Sequence, residues 1–168
     1  MNQLELNLEK ISQLAKQNEN QNYRFRSFLK MQDSEKIDKI VHCLHREVSG
    51  QIDCTLCGNC CKQLTPGLTE NEISRLSEID NIPKDDFILN FVEYDSMEGE
   101  SFLKGNPCKY LNDKKCTIYS IRPEDCKSYP HTHKEKFNTR TLGIIENYGI
   151  CPIVFTIFER LKLEMRFR

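Results

Sequence analysis

The chain has no excess of charge of either sign: 24 lysines and arginines stand against 25 aspartates and glutamates in 168 residues. With no surplus of cations to neutralise a phosphate backbone, nucleic acid is not an expected partner. A long apolar run is also missing. The longest, Ile150 to Phe158, has nine residues, against the roughly 20 that a membrane-spanning helix needs. A buried helix is expected there, and no membrane partner. Met1 to Glu5 carries neither the basic flank nor the apolar stretch of a secretory signal, which makes the expected location cytoplasmic. The sequence offers no glycine-rich nucleotide or cofactor loop, no internal repeat, and no Ser/His/Asp or paired-carboxylate arrangement. It therefore assigns no catalytic residue and does not define an enzyme.

What it has is cysteine, nine in all. Eight fall into a pattern that reads as a metal site: Cys54, Cys57, Cys60 and Cys61 in one block, then Cys108, Cys116, Cys126 and Cys151. In a reducing cytosol such spacing is better explained by metal ligation or redox chemistry than by disulfides, and the odd count fits a disulfide framework poorly. A thiolate is a soft, charged ligand, and a gap of two residues lets a tight turn aim both sulfurs at one ion. Gly58 tolerates positive φ and exposes its amide to the sulfurs. Side chains of adjacent residues diverge in most conformations, so Cys60 and Cys61 are expected to serve different metals or a polynuclear cluster.

Around the cysteines the pattern is helical. Leu4, Leu8, Ile11, Leu14 and Ala15, then Phe25, Phe28 and Leu29, predict a helical arm over residues 1–32, possible as one long helix. Asp33 or Ser34 can cap a helix with the stripe Ile37, Ile40, Val41, Leu44 and Val48, ending near Gly50. Cys43 points away from that stripe and is expected to be a bystander; a solvated face explains His42 and His45. Thr69 to Glu72 matches a capping box, Pro83 opens another short helix, and residues 94–107 read as a loop or hairpin. Pro123 starts a short helix carrying Cys126, and a last helix follows Cys151 and Pro152. Arg122 can hold a helix carbonyl, a carboxylate or a metal-bound sulfur. Lys62, Lys109, Lys114, Lys115 and Lys127 can offset thiolate charge. His131 and His133 are held in reserve as nitrogen ligands. The expected fold is mainly α: a small helical domain over residues 33–168, organised around a cysteine-rich metal site, behind the N-terminal arm.

The run Cys54-x2-Cys57-x2-Cys60-Cys61, followed by Cys116-x-Ile118-Tyr119-x2-Arg122-Pro123-x2-Cys126-x2-Tyr129-Pro130, resembles the bacterial YkgJ-type cysteine-cluster family. The resemblance covers roughly residues 35 to 160. It implies a zinc- or iron-chelating protein of the bacterial cytosol, in some members labelled an iron–sulfur oxidoreductase. It implies Cys54, Cys57, Cys60, Cys61, Cys116 and Cys126 as ligands, with Cys108 and Cys151 at less sharply defined flanking positions. Two other readings stand beside the metal-binding one. The first is an iron–sulfur redox enzyme, because Cys-x2-Cys-x2-Cys also opens bacterial ferredoxins, or a cluster-containing methyltransferase, because a related cysteine pattern occurs in flagellin lysine methylases. The second is a zinc-stabilised interaction module that docks a protein partner through the amphipathic arm.

Overall fold

The structure, a computed structural model, describes residues 4–97 and 99–168. The part of the signal-sequence reading that concerns Met1 to Gln3, and Glu98 within the 94–107 segment, lie outside the described residues. The fold is mainly α, as expected. Its residues divide into two compact units, one formed by residues 1–53 with 130–168 and the other by residues 54–129.

In the first unit the arm is two helices, α1 (Leu8–Gln17) and α2 (Glu19–Lys30), rather than one. The break is at Asn18, whose φ of −92° and ψ of 4° leave the helical region; its side-chain amide donates to the Tyr148 hydroxyl at 3.1 Å. Helix α3 (Ser34–Ser49) starts where the sequence predicts, with the Asp33 carboxylate accepting from the Lys36 amide at 2.7 Å and Gly50 at its C-cap. After a one-turn helix at Phe137–Thr139 come α9 (Thr141–Tyr148) and α10 (Pro152–Glu164). Helix α10 is the core element, with Ile153, Val154, Ile157, Phe158 and Leu161 buried and packed with α3 and α9. Ile11, Phe25 and Leu29 of the arm are buried in the same unit, Phe25 with its ring edge-on to Phe158.

A buried polar network sits inside this core. Lys162 is 4% exposed, and its ammonium donates to Asn22 at 2.6 Å, Gln21 at 3.0 Å and Glu159 at 2.5 Å. The Tyr148 hydroxyl donates to the same Glu159 carboxylate at 2.6 Å. A buried ammonium is tolerable only because each of its protons is taken up in this way. Among the described residues no single helix is long and apolar enough to cross a membrane.

The second unit holds the two short cysteine turns α4 (Cys54–Cys57) and α5 (Cys60–Gln63), then strand β1 (Gly67–Leu68) and helices α6 (Glu70–Ile79) and α7 (Lys84–Phe91). The 94–107 segment resolves as a hairpin rather than a loop: β2 (Val92–Asp95) pairs antiparallel with β3 (Glu100–Leu103), and β1 adds to the other edge of β3. A smaller pair, β4 (Leu111–Asn112) with β5 (Lys115–Cys116), precedes a turn at Tyr119–Ile121 and α8 (Glu124–Ser128). Leu68, Ile73, Leu76, Phe87, Val92, Leu103, Tyr110 and Ile118 form the core, and Cys108 and Cys116 pack against it. Two of the site's cysteines are therefore mounted directly on the hydrophobic core.

Candidate metal centre

Each segment that carries a cysteine in the second unit is tied to another such segment or to the core. The Cys108 amide donates to the Cys61 carbonyl at 2.7 Å, joining α5 to the loop before β4. The α4–α5 junction depends on Gly58, which has φ +61° as expected; a Cβ there would lie 2.6 Å from the Lys114 carbonyl oxygen. Backbone of the cysteine turn thus presses on the β4–β5 turn at a distance only glycine allows.

Helix α8 is held at its N-terminus by two carboxylates. Glu72 completes the capping box with Thr69 and, through its other oxygen, accepts from the Glu124 amide at 2.7 Å. Asp125 accepts from the Gly67 amide at 3.1 Å. Cys126, on the same turn of helix, is thereby fixed to α6 and β1. The sequence reading assigned Glu72 to its local cap and missed this second contact. Its three-residue spacing from Thr69 signals the cap, but nothing in it signals a partner 52 residues away.

Cys61, Cys108, Cys116 and Cys126 lie near enough for the charge of one thiolate to act on another, and Cys60 adjoins them. A side-chain hydrogen bond joins Cys60 to Cys61. Both lie on the single helical turn α5, where neighbours are separated by about 100° rather than the 180° of a strand, and their sulfurs can approach. That hydrogen bond, with help from the Arg122 guanidinium, lowers the Cys61 thiol to about 7. Burial pushes the others the opposite way, Cys126 to about 12 and Cys108 and Cys116 above the ordinary thiol range. Cys61 ionises first, and its charge then opposes ionisation of its neighbours.

Arg122 is a cation that acts on two of these thiols, Cys61 and Cys116. It lies over the Tyr119 ring at 3.8 Å and donates to the Tyr119 carbonyl, while its charge favours the thiolates of Cys61 and Cys116. It fills the packing role and the electrostatic role together. Of the lysines considered for charge balance, Lys109 favours the Cys108 thiolate but is paired with Asp80 and lies 3.4 Å over the Phe91 ring. Lys127 pairs with Glu124 at 3.6 Å.

Cys54 is exposed and Cys57 half-buried on α4. Cys43 is exposed on α3, off the apolar stripe, its thiol donating to Glu47 at 3.5 Å. Cys151 is buried at the N-cap of α10, in the first unit. Among the described residues no three His, Cys, Asp or Glu side chains stand at distances that would hold a metal ion between them. The donor set still suits a soft or borderline metal. Five thiols share one neighbourhood, most of them sheltered, with an arginine to offset their charge.

The scaffold is thus a mainly α protein whose thiols are gathered by a small helix-and-hairpin unit. Residues 53–143 match the CxxCxxCC family, described as a "putative zinc- or iron-chelating domain", and the chain belongs to that family. It is also 29% identical over 92 residues to an uncharacterized protein of Methanocaldococcus jannaschii, covering 53% of this chain and 50% of that protein. The chain therefore spans about half the length of the curated relative it matches. No solved structure matches it.

Proposed function

We propose that the second unit is a thiolate metal centre, with Cys60, Cys61, Cys108, Cys116 and Cys126 as its inner ligands and Cys54 and Cys57 completing the set from α4. Cys151 is not required by this reading, although the cysteine pattern includes it. The observation that carries the proposal is the convergence of cysteines from three separated stretches of chain on Cys61, together with the family's description as zinc- or iron-chelating.

Iron is favoured over zinc. Structural zinc uses four ligands, and the five neighbouring thiols exceed what one tetrahedral ion accepts, whereas a polynuclear iron centre can use them. When bound, iron would supply storage, sensing or electron transfer; the chain's own residues supply thiolates, the Arg122 charge and the rigid mount of α8. A cytoplasmic, reducing location fits cysteines that are not closed into disulfides. Protein purified without oxygen is expected to contain iron and to absorb in the visible. A colourless preparation with stoichiometric zinc, unchanged by iron and sulfide reconstitution, would replace iron by zinc in this reading.

A further inference from the structure

All four histidines of the chain lie in the first unit. His42 and His45 are three apart on α3 and so share a face; His131 and His133 lie on the loop that precedes the Phe137–Thr139 turn. The sequence reading left the first pair on a solvated face, but the fold brings the loop onto them. The His45 and His133 ring centres are 5.2 Å apart, inclined at 50°. His45 Nδ1 is hydrogen-bonded at 2.7 Å to the hydroxyl of Thr132, which is fully buried. The Nε2 atom of His42 is buried without a hydrogen-bond partner, and such an atom ordinarily costs about 1–3 kcal/mol.

The loop that delivers His131 and His133 is held in an unfavourable shape. His131 has φ +59° and Lys136 has φ +55°, both left-handed and neither a glycine. Arg140 holds this shape by donating to the His131 carbonyl at 3.0 Å, to the Glu135 carbonyl at 3.1 Å and to the Lys134 carbonyl. Asp38 of α3 accepts from the Lys136 and Phe137 amides at 2.7 and 2.9 Å, which fixes the loop to the helix bearing His42 and His45. Backbone strain is thus maintained by a guanidinium and a carboxylate, and its result is to place imidazoles from two elements together.

We propose that these histidines form a second metal site, for a divalent transition-metal ion such as zinc, with His45 and His133 as its first ligands and His42 as the third. Zinc binds imidazole nitrogen at about 2.0–2.1 Å, which puts the ion roughly 3.2 Å from each ring centre and two tetrahedrally disposed centres about 5 Å apart; the observed pair has that spacing. A ligating histidine usually hydrogen-bonds through its other nitrogen, which fixes the donor atom. Thr132 does this for His45, leaving Nε2 to bind. Three nitrogens do not yet meet at one point, so His42 joins by rotation of its side chain, and coordination satisfies its orphaned Nε2. Asp38 offsets the charge of Arg140 beside these histidines. The site belongs to a different unit from the cysteine cluster and does not depend on its chemistry.

The test is a zinc titration of the full chain, followed by histidine side-chain nitrogen NMR and by equilibrium dialysis. Zinc is expected to shift the His45 and His133 resonances, and His133→Ala is expected to bind one zinc ion fewer than the parent chain. His133 is exposed, so that variant should fold; His45→Ala is the companion. Cys126→Ser should keep the histidine shifts, which separates this site from the thiols. Unmoved histidine resonances at saturating zinc, or equal zinc stoichiometry in the parent and His133→Ala, would overturn the proposal.

Discussion

Replacing Cys126 with serine is expected to remove most of the bound metal, whereas Cys43→Ser leaves metal content unchanged. Cys126 is held on α8 by Asp125 and Glu72, and its thiol lies within reach of the charge of Cys61, Cys108 and Cys116. A serine hydroxyl is a poor ligand for a metal that prefers thiolate. Cys43 is exposed on α3 and bonded to Glu47 on the next turn. The same physics sets a pH dependence. Burial keeps Cys126, Cys108 and Cys116 protonated at neutral pH, so a metal must displace those protons, and affinity is expected to fall as pH falls, by about tenfold per unit for each proton displaced. Cys61, lowered to about 7, contributes a weaker slope there. Elemental analysis of the two variants, and metal competition between pH 6 and 8, check both statements. Equal metal loss in Cys43→Ser, or affinity independent of pH, would contradict the assignment.

The second large effect is expected at Gly58. Alanine would force a left-handed φ on a residue with a Cβ and drive that Cβ to within 2.6 Å of the Lys114 carbonyl oxygen. Strain and overpacking together should cost about 2–4 kcal/mol. Because the contact joins the cysteine turn to the strand pair carrying Cys116, Gly58→Ala should also weaken metal retention. Gly143→Ala is the control, since a Cβ there meets nothing within 4 Å. Chemical denaturation of both variants measures the difference, and equal stability would show that the turn relaxes freely.

The parts of the fold that sequence reveals are those whose causes are local. Asp33 capping α3, the Thr69 and Glu72 capping box, Pro123 before α8 and Pro152 within the first turn of α10 are each fixed by residues a few positions apart. The positive φ at Gly58 belongs with them. Contacts between distant residues were not legible. The Asn18 break is stabilised by Tyr148, 130 residues away, and the His45 contact with Thr132 spans 87. Composition alone left residues 94–107 between a loop and a hairpin: Glu93, Asp95, Glu100 and Ser101 are weak strand formers, and pairing of β3 with both β2 and β1 overrides that preference.

For the site, the spacing of the cysteines identified the residue type and the block, but not the company each sulfur keeps. That a hydrogen bond joins Cys60 to Cys61 goes with the helical turn α5 that carries both, a local conformation that four residues of sequence do not determine. That Cys126 is anchored through Glu72 follows from a carboxylate whose two oxygens serve two different amides.

The most direct measurement is X-ray absorption at the metal edge of the protein purified without oxygen. Metal bound by cysteine gives a first shell of sulfur at about 2.3 Å, with iron–iron scattering as well if the centre is polynuclear. A metal shell made only of nitrogen and oxygen, or folded protein with no metal and all nine thiols open to titration, would contradict a thiolate centre in the second unit.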